Sequence, residues 1–209
     1  MSHVTTSARR PRSPRGQGRR LRDELVQAAA RLLDESGDPD TVTVRGVAAE
    51  VGVAPTALYL HFADRDELMV AVVEERFTEF ARTIDAADRG GDPLEALIRR
   101  GEAYVGFALA HPGHYRALFG GFDVSDRRPD LADRLQTAGA PAVLALVDAV
   151  RRAPDAGRLG GEDPVVVAVA LWSMVHGYAD LARRQGCWPF MEDIGTVLRA
   201  HAAAFQNLS

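Results

Sequence analysis

Apolar residues recur along this chain at helical spacing and almost never alternate. Leu21, Leu25, Ala28, Ala29, Leu32 and Leu33 mark one face of a helix that starts near Arg19. Gly37 stops it, with Asp38-Pro39 directly behind. Thr43 is a good N-cap for a short helix over about 44–51, and Gly52 ends that helix. A second short element follows at 54–62, A-P-T-A-L-Y-L-H-F. Asp64, with Glu67 three residues later, predicts the capped start of a long helix over about 65–87. Its Leu68, Met69, Val72, Val73, Phe77, Phe80 and Ile84 fall on one side. Beyond Gly90-Gly91, Asp92, Pro93 and Glu95 open another helix that ends near His111-Pro112-Gly113. A short helix is expected over 113–120. Residues 129–152 read as helix, with Gly139 and Pro141 predicting a kink or a break. A loop over 153–162 leads to Asp163-Pro164, which caps a helix to about Arg184, and a last helix is expected over 190–206. The pattern is all-α and shows no internal repeat.

Composition adds bounds. With 209 residues, 46% of them hydrophobic, the chain suits one large domain or two small ones and can bury a real core. No run of 18 or more uncharged apolar residues predicts a membrane span. The basic N-terminal stretch lacks the apolar segment of a secretory signal. The single cysteine, Cys187, excludes an internal disulfide and a cysteine-based zinc site. A cytoplasmic protein is expected. All 25 basic residues are Arg, against 29 acids, for a net charge of −4. Their placement matters more than their sum. Residues 1–22 hold seven Arg and no acid, leaving 18 Arg against 29 acids elsewhere. Residues 1–18, rich in Ser, Pro, Gly and Arg, read as a disordered basic arm suited to a polyanion.

Residues 43–62, T-V-R-G-V-A-A-E-V-G-V-A-P-T-A-L-Y-L-H-F, form a short helix, a Gly turn and a second short helix. Val44, Val47, Ala48, Val51, Val53, Leu58 and Phe62 suit a small core shared with the first helix. Ala54, Pro55, Thr56, Tyr59, Leu60 and His61 remain on the outside, with no acid among them. This stretch, continued by A-D-R-D-E-L to Leu68, resembles the TetR family of bacterial transcription regulators. The Leu-Tyr-x-His-Phe run carries the resemblance, which is strong over about 19–70 and weaker beyond. Arg65 stands where the family usually has Lys, and Gly46 where an acid is common.

The resemblance implies an N-terminal helix-turn-helix domain over 19–66, an effector-binding and dimerisation domain over 67–209, and double-stranded DNA as partner. Pro55, Thr56 and Leu60, with Ala54, would then face bases or sugar-phosphate, while Tyr59 and His61 would hold phosphates. Thr43 would bind phosphate from its helix N-terminus. Arg45 is long enough to reach a base edge such as guanine O6/N7. Arg65, Arg19 and Arg20 would add phosphate contacts.

Residues 164–182, P-V-V-V-A-V-A-L-W-S-M-V-H-G-Y-A-D-L-A, are apolar nearly all round and need cover on two sides. A second subunit would supply it, through helices 164–184 and 190–206, with Phe190, Ile194, Val197, Leu198 and Phe205 along one stripe of the latter. L-W-S-M-V-H-G-Y (171–178) looks like the Trp…His-Gly signature of one C-terminal subclass of the family. Trp172 and His176, four apart on one helical face, are expected to border a cavity for a mainly apolar small molecule. Tyr104, Phe107 and Phe119 would form other walls, with Tyr115 and Phe122 as further candidates. His111 and His114 lie three apart near a helix break, but no third metal ligand is evident in the sequence, so no metal or other cofactor is expected. A helical-bundle enzyme is the rival reading, and the sequence offers it no nucleophile–base pair.

Overall fold

The computed structural model describes residues 17–153, 163–184 and 193–206. Nine α-helices occur there, joined by loops and one 3-10 turn, with no strand among the described residues. The expected basic arm, the loop after Ala153, Cys187 and Phe190 lie outside the described residues.

Helix α1 (Gln17–Ser36) buries Leu25, Val26, Ala28, Ala29, Ala30 and Leu33, the predicted stripe in its central turns. Gly37 ends it at φ 67°, a conformation that suits a residue without Cβ. A 3-10 turn at Pro39–Thr41 follows, capped by Asp38, where the sequence suggested only a break. Helix α2 (Val44–Val51) has both predicted signals. The Thr43 hydroxyl accepts from Gly46 N–H at 3.1 Å, and Gly52 leaves the helix at φ 76°. Helix α3 (Pro55–Leu58) is a single turn whose Leu58 and neighbouring Phe62 are buried.

Helix α4 (Arg65–Ala87) is the axis of the molecule and packs on α1, α5 (Pro93–Ala110), α6 (Pro112–Leu118) and α7 (Pro129–Arg152). Leu68 through Val73 are therefore buried without interruption, and the one-sided stripe appears only further along, around Phe80. Its cap departs slightly from expectation. Asp64 accepts from Glu67 N–H at 2.8 Å, but the Glu67 carboxylate accepts from Ala63 N–H at 2.6 Å, one residue before the cap.

Gly113 lets α6 press on the C-terminal end of α1. A Cβ there would overlap the Leu33 carbonyl and lie 3.2 Å from Gly37 Cα. The predicted break in α7 does not occur. Gly139 rests on Phe77, where a Cβ would be 3.3 Å from the ring, and Pro141 sits on the exposed side. Packing on α4 thus holds the helix across the lost hydrogen bond. Helix α8 (Pro164–Arg183) lies on α5 and α7, and α9 (Ile194–Gln206) lies on α5. Ile194 and Leu198 are buried, and Val197 packs on the same core, so this part of the α9 stripe faces its own subunit.

Candidate nucleic-acid interface and effector cavity

The interface begins with what is held inside. Leu58 and Phe62 anchor the turn of α3 in the core, and Arg22 of α1 lies over the Phe62 ring at 5.1 Å. This pins the backbone between them, so the intervening residues must face out. Tyr59 is 55% exposed and Leu60 80% exposed. Ala54, Pro55 and Thr56 are exposed beside them, and His61 is half-buried near Gly18 at the start of α1. Leu60 thus stands out from the surface beside Tyr59, with its side chain largely in solvent.

Thr43 and Arg45 are exposed at the N-terminal end of α2. The Thr43 oxygen accepts from Gly46, and its proton remains able to donate outward. Arg45 has no hydrogen bond or ion pair with other described residues. Arg19 is exposed, and Arg20 pairs with Glu24 at 2.8 Å on a solvated face.

Arg65 is placed differently from expectation. Its Nε donates to the Val42 carbonyl at 2.6 Å and its Nη2 to the Pro39 carbonyl. The guanidinium is therefore turned onto the 3-10 turn and binds α4 to the segment ahead of α2. The cause is local: the Pro39 carbonyl, already accepting from Val42 N–H, has a second lone pair, the Val42 carbonyl lies beside it, and a forked, charged donor reaches both at once.

Behind α4 lies a cavity of about 380 Å³ with mostly apolar walls. Of the expected wall residues, Tyr104, Phe119 and Trp172 line it. Phe107 and His176 are not among its walls, which corrects the sequence expectation. Phe107 packs edge-on against Phe80 in the core, at 5.2 Å between ring centres. The His176 Nδ1 lies 2.9 Å from the Tyr104 hydroxyl and 2.8 Å from that of Tyr115. Trp172 Nε1–H donates to the Tyr104 hydroxyl at 3.3 Å. Two buried phenols need a polar partner, so His176 is drawn behind the wall. Burial pushes both tyrosine hydroxyls above their ordinary range, keeping them neutral. We expect His176→Ala to take the 2.8 Å partner from the Tyr115 hydroxyl, with Tyr104 keeping Trp172, and to cost about 1–3 kcal/mol in a urea melt. Unchanged stability would show that the triad does not bear on the fold.

Arg100 was missed by sequence reasoning. It lines the cavity, 5% exposed, and its Nη2 donates to Asp85 at 2.7 Å. Its buried Nε–H has no hydrogen-bond partner. An Arg in an ordinary helical repeat gives no sign in sequence that it will be buried.

The segment ahead of α7 is tied to the start of α4. Arg127 pairs with Asp66 at 2.6 Å, and Arg128 reaches Asp64 at the α4 cap. The Arg127 hydrogen bond holds the Asp66 carboxyl below its usual range. This contribution is present above the unfolded-state value and fades as pH falls through the lowered one.

Residues 97–205 match the family model for the "Tetracyclin repressor-like, C-terminal domain", and 25–72 match that for "Bacterial regulatory proteins, tetR family". An uncharacterised HTH-type transcriptional regulator of Mycobacterium tuberculosis is 27% identical over 179 residues, 84% of this chain and 74% of that protein. Another, from Bacillus subtilis, is 32% identical over 111 residues, 51% of this chain and 54% of its own length. A solved protein of unknown function from Rhodococcus sp. RHA1 superimposes with a TM-score of 0.72 at 26% identity, covering 90% of this chain and 94% of that one. The TetR family regulator PfmR from Thermus thermophilus shares the fold, with a TM-score of 0.63 at 21% identity over 88% and 98% of the two chains.

Proposed function

The chain belongs to the TetR family of DNA-binding transcription regulators, and from this premise we propose that it is a dimeric repressor released from its operator by a small, mainly apolar ligand. One observation carries the reading: a single helix serves both ends. Helix α4 starts beside the exposed head, at the Asp64 cap, and its Phe77, Phe80 and Ile84 line the cavity. These lie about 18–28 Å along the helix from its start. A ligand that favours one setting of α4 would thereby favour one setting of the head. The Arg127–Asp66 and Arg128–Asp64 pairs make the same end of α4 answer to the segment leading into α7.

The walls describe the ligand. Phe77, Phe80, Phe119 and Trp172 favour an apolar or aromatic body, and the charged Arg100 in the same wall favours an acceptor atom on it. Its release activity is tested by titrating apolar compounds, with and without a carboxylate, into the DNA complex. Release by none of the apolar compounds would remove the effector reading. The regulator acts where DNA is, and a cytoplasmic location follows for a bacterial protein of this kind.

On the DNA side, Tyr59 and His61 are assigned to phosphates, Arg45 to a base edge, and Leu60 and Pro55 to apolar contact with bases. Thr43, Thr56, Ala54, Arg19 and Arg20 complete the footprint, and Arg65 is assigned to support rather than contact. Tyr59→Phe and His61→Ala should each weaken binding to all sequences alike. Each should reduce the log–log salt slope by about one unit at most. Unaltered affinity and slope in both would remove the phosphate assignment. No catalytic role is assigned.

A further inference from the structure

We propose that Asp34, His111 and His114 form a binding site for a divalent transition-metal ion of the zinc class, joining α1 of the DNA-binding head to the α5–α6 corner. The three side chains come from distant parts of the chain. Asp34 is in the last turn of α1, His111 is the residue between α5 and α6, and His114 lies in the first turn of α6. One donor atom from each lies within 4.8 Å of the others.

The geometry has an unresolved feature that a cation answers. His114 Nε2 is 3.0 Å from the Ala30 carbonyl, and a carbonyl only accepts, so Nε2 carries the proton. In the neutral ring, Nδ1 is then a bare lone pair. It faces Asp34 Oδ1 at 3.5 Å. Both atoms are buried without a hydrogen-bond partner, and the His114 side chain is only 4% exposed. Two acceptors facing each other out of water are unfavourable unless positive charge lies between them. Arg76 of α4 is paired with Glu79 and with Glu75 at 3.2 Å and makes no ion pair with Asp34.

His111 completes the set. Its Nδ1 lies 3.1 Å from Asp34 Oδ2, and its ring stacks on His114 with planes 22° apart. Ligand atoms about 2.0–2.2 Å from a tetrahedral ion are separated by roughly 3.3–3.6 Å. The observed 3.1 and 3.5 Å run to the two different oxygens of Asp34, so the carboxylate either binds through both or turns to bring one oxygen between the rings, within the 4.8 Å that the three donors already share. For His111 to ligate through Nδ1 as a neutral ring its proton moves to Nε2, exchanged through solvent, because that ring and the carboxylate are about a third exposed. Two imidazoles and one carboxylate suit Zn(II), Co(II), Ni(II) or Cu(II) better than Mg(II) or Ca(II), and the exposed side admits water as a fourth ligand.

The test uses the full chain, stripped with a chelator, and cobalt chloride and zinc chloride as probes. Cobalt should bind at one equivalent per chain with visible d–d absorption. Zinc at hundredfold excess over its Kd should raise the Tm by about 5–10 °C. His111→Ala, a partly exposed position outside the core, should fold as the parent does and lose at least tenfold in affinity for both ions. Asp34→Asn should do the same. Failure of the parent to bind either ion overturns the proposal. Equal affinity in parent and His111→Ala also overturns it, because the ion would then sit elsewhere.

Discussion

Val169→Asp should convert the protein from dimer to monomer and lower its affinity for a two-half-site operator by about 10²–10⁴-fold. Helix α8 is the reason. Among the described residues it is the one helix long and apolar enough to cross a membrane by composition, yet only 22% of its apolar window is buried. Val165, Val166, Val169 and Leu181 are between 44% and 54% exposed, and Leu144 of α7, at 63%, extends the patch. Gly177 lies on the same side, with open space where a side chain would be. Such a surface is covered by another apolar surface, and the matching face of a second copy is the self-complementary choice. A carboxylate on this face would be desolvated against the second copy, and because Val169 also lines the cavity the test reads mass and affinity without ligand. Each head would then bind DNA alone, without the second as a tethered partner. Sedimentation velocity reads the mass, and a mobility shift reads the affinity. A dimeric Val169→Asp with parental affinity would place the subunit contact elsewhere.

Gly113→Ala should destabilise the fold by about 3 kcal/mol, at the upper end for overpacking, and lower the Tm by about 6–12 °C. The added methyl meets the Leu33 carbonyl, which is backbone within a helix and has no rotamer to change. Helices α1 and α6 must therefore separate. The same contact brings His114 to Ala30 and Asp34, so the polar cluster should loosen with it. Calorimetry on the variant decides the point. A Tm within a degree of the parent would mean that this corner yields easily.

Local signals were the ones the sequence disclosed best. Thr43 and Gly52 bound α2 at the expected residues because a hydroxyl cap and a positive-φ glycine act within one turn of where they stand. The exposed Tyr59 and Leu60 followed from the burial of Leu58 and Phe62, again a matter of neighbours. What needed the third dimension was less legible. Arg65 could be read as a surface cation only while the fold of the 3-10 turn, which brings the Pro39 and Val42 carbonyls to its guanidinium, was not known. His176 seemed to face the cavity because it shares a helical face with Trp172, but Tyr104 and Tyr115 compete for its nitrogen. Gly139 and Pro141 were expected to kink or break α7, and of the two the break does not occur, with Gly139 packed on Phe77. Asp34 is 77 residues from His111, so the His-x-x-His spacing showed two parts of a cluster and concealed the third.

If the face carrying Tyr59, Leu60, Thr43 and Arg45 reads DNA sequence as a dimer, the purified full chain should select its own site from a random pool of duplexes. Fluorescence anisotropy on the enriched site and on a scrambled control, across a salt series, then measures the reading. The enriched site should be twofold-related, with half-site centres about 34–36 Å apart or a multiple of that. Affinity for it should be at least about 10³-fold above the control and should fall steeply with salt. A pool that enriches no sequence, with equal binding to the scrambled duplex, would contradict the assignment of this face to sequence reading.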